Sequence, residues 1–61
     1  MNDPLATSRE YRERAVACRK KALLSASEVT RVEYEKLAVH YDEIAVAELK
    51  LANAERMKKA N

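Results

Sequence analysis

Between Thr30 and Glu55, Tyr34, Leu37, Tyr41, Ile44, Glu48 and Leu51 follow one another at spacings of three and four. All but Glu48 carry large apolar side chains. This is the a/d repeat of a helix that packs against other helices. It predicts one long amphipathic helix over about 28–58. Upstream, Tyr11, Ala15, Cys18 and Ala22 recur at spacings of 4, 3 and 4, which predicts a shorter helix over about 7–24. Three of these four inward residues are small, so the two helix backbones can approach closely. Val16 and Leu23 flank the short seam on one side, and Ala17 and Leu24 on the other.

Ser25-Ala26-Ser27 separates the two patterns, at residues 25–27. Ser27 is a good N-cap, and Glu28 then sits in the first turn, where the helix dipole favours an acid. Ser25 and Glu28 also have capping-box spacing. Extending the first seam past the serines leads to Val29, Val32 and Lys36, out of phase with Tyr34, Leu37 and Tyr41. The phase shift selects two helices; a single rod in an extended coiled coil is the alternative. At the start, two signals compete: Asp3-Pro4 as N-cap and first helical residue, and the capping-box spacing of Thr7 and Glu10. Residues 1–6 are assigned to a flexible arm and residues 59–61 to a frayed tail.

Composition agrees with an all-α fold. Glycine is absent, and the one proline stands at position 4. Ala, Leu, Glu, Lys and Arg, all good helix formers, dominate. No apolar run is long enough to span a bilayer, and no signal-peptide layout appears, so the expected location is cytoplasmic with no membrane contact. Sixty-one residues make at most one small domain, which buries a small fraction of its surface. One cysteine forms no intrachain disulfide. One histidine without soft-ligand clusters gives no structural zinc site, and no cofactor is expected. Stability must then come from self-association or from a protein partner.

Charge is patterned. The net charge is +2, but residues 1–24 carry six basic and three acidic side chains, 28–48 carry six acids against Arg31 and Lys36, and the tail is basic again. An antiparallel hairpin lays the basic first helix on the acidic part of the second. The first helix then covers the second only to about Val46. Beyond it the second helix stays apolar through Leu49, Leu51, Ala52 and Met57. An unpaired apolar half-helix implies a homo-oligomer, with a dimer forming a four-helix bundle favoured.

The segments Tyr11-Arg12-x-Arg14-Ala15-x-x-Cys18-Arg19-x-x-Ala22 and Glu33-Tyr34-x-x-Leu37-Ala38-x-x-Tyr41-x-x-Ile44-Ala45 resemble a group of very small alphaproteobacterial proteins of unknown function. Their usual pattern is YRxxAxxCxxxA, a turn often containing Asp-Pro, then YxxLAxxWxxLA. The resemblance runs from Tyr11 to about Ala47. It departs at the turn, which reads Ala26-Ser27-Glu28-Val29, and at Tyr41, where Trp is common. It implies a bacterial helical hairpin and carries no activity or catalytic residue.

Candidate chemistry is sparse. Cys18 lies on the apolar face, where a thiol behaves as a small hydrophobe rather than a redox centre. His40 lacks converging ligands and reads as a surface or rim residue. Glu48 falls on the seam, either at its edge or buried as a register-fixing group; the edge is favoured because a buried unpaired carboxylate is costly. Tyr11, Tyr34 and Tyr41 read as core aromatics with their hydroxyls at the boundary, or as the floor of a small-molecule groove. No nucleophile–base or acid pair appears, so no enzyme is expected.

The expected function is a small interaction or adaptor module. Its interface and core comprise Tyr11, Ala15, Cys18, Ala22, Tyr34, Leu37, Tyr41, Ile44, Glu48, Leu49, Leu51 and Ala52. The alternative is a nucleic-acid-binding regulator using Arg12, Arg19, Lys20, Lys58 and Lys59, although acids interrupt any continuous basic stripe.

Overall fold

The computed structural model describes residues 3–60 as two antiparallel helices, α1 (Pro4–Leu24) and α2 (Glu28–Ala60), with no strand among the described residues. The helices pack against each other as a hairpin. The molecule is a slender rod of 53 × 15 × 14 Å. Its long axis is that of α2, whose 33 residues rise roughly 50 Å.

The expected start of the first helix at residue 7 is corrected to Pro4. Asp3 takes the N-cap, its carboxylate accepting from the Leu5 N–H at 3.0 Å and its carbonyl from the Thr7 N–H at 2.9 Å. Proline at the first position lacks an N–H that would have had no helical partner there. Thr7 is therefore already inside the helix, and the Thr7–Glu10 box is not the start. Of the expected arm, Pro4 to Ala6 are helical, while Met1 and Asn2 lie outside the described residues. α2 continues to Ala60, and only Asn61 of the expected tail lies outside them.

The turn is closed without any positive φ, which is how a chain lacking glycine can make it. Ser25 ends α1 in an extended conformation while its N–H still reaches the Ala22 carbonyl at 3.2 Å. Its hydroxyl donates to the Ser27 carbonyl at 3.1 Å, rather than forming a capping box with Glu28. The Ser27 hydroxyl accepts from the Thr30 N–H at 3.4 Å, capping α2. Along the outer surface of α2, Arg31 bridges Glu28 and Glu35, and Lys36 meets Glu33. Pairs of this spacing each stabilise a helix by about 0.2–0.5 kcal/mol.

The core is a single seam of small side chains. Ser8, Ala15, Cys18 and Ala22 of α1 are buried, as are Ala38 and Ala45 of α2. Tyr34 and Tyr41 pack against the Ala15–Cys18–Ala38 cluster. Leu37 and Leu51, expected in the seam, lie outside it at 44% and 55% exposure. Ala38 and Ala45 hold the inward positions instead. Because the buried positions of α1 are all small, a seam of alanines brings the backbones together, whereas central leucines would hold them apart. Ser8 marks how close they come: its hydroxyl donates to the backbone carbonyl of Ala45 across the seam at 2.9 Å.

Candidate interaction surface

Ser8 level with Ala45 sets the register. Four residues before Ser8 correspond to four after Ala45, so α1 begins opposite Leu49. Coverage thus extends slightly past the expected Val46. Beyond Leu49, α2 runs on alone for roughly 16 Å. Leu49, Ala52 and Glu48 are half-buried around the place where α1 begins, and Leu51 and Met57 are exposed.

The seam divides the hairpin into two flanks. On α2, Leu37 and Ile44 directly precede the buried Ala38 and Ala45, while Val39 and Val46 directly follow them. A step of one residue turns the helix by about 100°, so the two sets fall on opposite flanks. On α1, Arg14 and Lys21 precede Ala15 and Ala22, while Val16 and Leu23 follow them. In an antiparallel pair, the following residues of both helices share a flank.

On the tyrosine flank, the rings of Tyr11 and Tyr41 lie 5.9 Å apart, tilted by 31°. Arg14 covers the Tyr11 ring at 5.0 Å, and Lys21 covers Tyr34 at 5.8 Å. Cations over aromatic faces close this side with charge turned to water. Ile44 is half-buried there.

On the valine flank, the aliphatic side chains keep about half or more of their surface in water, Val32 somewhat less. Leu23 is 84% exposed, Val39 53% and Val46 52%, and Val16 and Val32 are exposed as well. Shallow grooves run between Leu23 and Val39, Val39 and Val46, and Val46 and Leu49. The pair between Arg19 and Asp42 bridges the helices across them. Arg12 and Arg19 contribute a basic rim from α1; Glu35, Asp42 and Glu43 contribute an acidic rim from α2.

The whole surface carries the same message. The chain exposes 5104 Å², whereas a folded monomer of 7.0 kDa is expected to expose about 4,000 Å². The excess, roughly 1,000 Å², exceeds the ~800 Å² each partner buries in a stable interface. No buried side-chain polar atom among the described residues lacks a partner.

The remaining candidates sit apart. Cys18 is free and buried in the seam. His40 is exposed, and no group of metal-ligating side chains occurs among the described residues. Arg12, Lys20 and Lys58 are exposed, but Lys58 stands roughly 13 Å past the start of α1, and the side chain of Lys59 lies outside the described residues. Sequence reasoning missed Ser8, Ala38 and Ala45. The signal that would find them is the match of small residues at equal spacing on the two helices.

No helix among the described residues is long and apolar enough to cross a membrane. No family model, curated protein or solved structure matches the chain.

Proposed function

We propose that the chain is one half of a homodimeric four-helix bundle and works as a non-enzymatic interaction module, through self-association and contacts with other proteins. Kinship with the small alphaproteobacterial hairpin proteins and a cytoplasmic location belong to the same proposal. One observation carries it. Among the described residues the hairpin buries only alanines, a cysteine and a serine, and it leaves Leu23, Val32, Val39, Val46 and Met57 exposed. Leucine and valine contribute far more than alanine when removed from water, about 1.5–3 kcal/mol each when fully buried. A sequence that keeps its largest aliphatic groups outside the fold has them available for a second fold-sized surface. Sedimentation equilibrium from micromolar to millimolar chain tests the proposal. The expected mass is twice 7.0 kDa; a single-chain mass at every concentration contradicts it.

A further inference from the structure

Building on that self-association, we infer that the second copy packs on the valine flank, with the two-fold axis running along the helices, so that α1 of each chain lies on α2 of the other. On the tyrosine flank Arg14 and Lys21 already cover the rings, which leaves Leu37 as the exposed aliphatic side chain beside the seam there. The valine flank receives large aliphatic groups from both helices and carries the grooves between them. A second copy offers the same ridges and grooves, and an isologous interface uses one patch twice.

Charge selects the orientation. Two hairpins meeting on this flank can be related by a two-fold axis across the helices or along them. The first sets α1 on α1 and α2 on α2, basic rim against basic rim. The second sets α1 of each chain on α2 of the other, twice; with Arg19 held by Asp42 and Glu35 by Arg31 inside the hairpin, the charges it brings together are Arg12 and Glu43, of opposite sign. Arg31 and Lys36, the cations on the α2 side, are engaged by Glu28, Glu35 and Glu33 of their own helix. Arg12 and Glu43 have no ion-pair partner among the described residues. Rotation about an axis along the helices keeps every residue at its own height. Arg12 is level with residue 41 in the register set by Ser8 and Ala45, two residues or roughly 3 Å from the height of Glu43. The second copy's Glu43 is therefore brought to the height of Arg12, where the opposite charges attract, and the reverse pair arises by symmetry.

A charge exchange tests this. Sedimentation equilibrium at low salt is run on the full chain and on R12E, E43R and R12E/E43R, with circular dichroism to check that each is helical. Both positions are exposed in the hairpin, so the substitutions leave its seam intact. Each single reversal is expected to raise the dimer Kd about three- to tenfold, since two symmetry-related pairs turn repulsive, and the double variant to return to within about twofold of the original. A double variant no better than the worse single, or singles that leave Kd unchanged, overturns this packing while the dimer itself stands. A wild-type chain that stays monomeric removes both the packing and the self-association beneath it.

Discussion

On the tyrosine flank, two tilted rings and two overlying cations cover most of the seam's edge; on the valine flank, one ion pair crosses a row of half-exposed aliphatic groups. Both flanks border the same seam and use neighbouring positions of the same two helices. They differ in what each side chain can do alone. A tyrosine with a cation above it is satisfied within one chain, because ring, charge and water are all accommodated. Valine and leucine have no such self-contained solution and gain only when another apolar surface arrives. The tyrosine flank is therefore largely covered within the hairpin, Leu37 apart, whereas the valine flank keeps aliphatic surface that the proposed second copy would cover.

The largest effect belongs to the open flank. Val39→Lys with Val46→Lys is expected to weaken the dimer more than about 100-fold, since several buried valines are exchanged for charges and each 1.4 kcal/mol is tenfold. Leu37→Lys with Leu51→Lys, equally exposed but on the other side, is expected to change Kd less than about threefold. Light scattering on both pairs decides whether the flanks differ as described. Equal losses from the two pairs would erase the distinction.

Next comes the seam that both flanks share. Ala38 is fully buried between the helices. Ala38→Leu should wedge them apart and cost about 1–3 kcal/mol, a fall in Tm of about 4–8 °C per kcal/mol read by circular dichroism. On the closed flank, Tyr41→Leu keeps apolar volume but loses the ring pair with Tyr11. The expected cost in urea denaturation is about 0.5–1.5 kcal/mol, with the dimer Kd unchanged once folding is corrected for. The smallest change is Ser8→Ala. The Ala45 carbonyl it meets lies inside α2 and keeps its helical partner, so no buried group is orphaned, and the loss should be about 0.5 kcal/mol.

The hairpin itself was legible because the absence of glycine, the serine break and two out-of-phase repeats all point the same way. The inward face of α1 was legible too, since Ala15, Cys18 and Ala22 admit no alternative row at that spacing. The face of α2 was misread by a fraction of a turn. Tyr34, Leu37, Tyr41, Ile44 and Tyr34, Ala38, Tyr41, Ala45 are both rows of three and four, and they share the tyrosines. Hydrophobicity prefers the leucine row, because a leucine gains more from burial than an alanine. Close packing against an alanine-and-cysteine surface prefers the alanine row, and that preference depends on the size of the facing residues, which a periodicity count along one helix does not register. The valine flank was hidden for the same reason: Val32, Val39 and Val46 form a second heptad row whose meaning appears only once the alanines are placed inside.

The coupling of fold to assembly is tested most directly by thermal unfolding, followed by far-UV circular dichroism, over three decades of chain concentration. If the hairpin depends on a second copy, Tm rises steadily with concentration, because association stabilises the folded state by mass action. A Tm that holds constant over that range, with full helix at the lowest concentration, would mean that the alanine seam is sufficient alone and that the bare valines do not stabilise the fold.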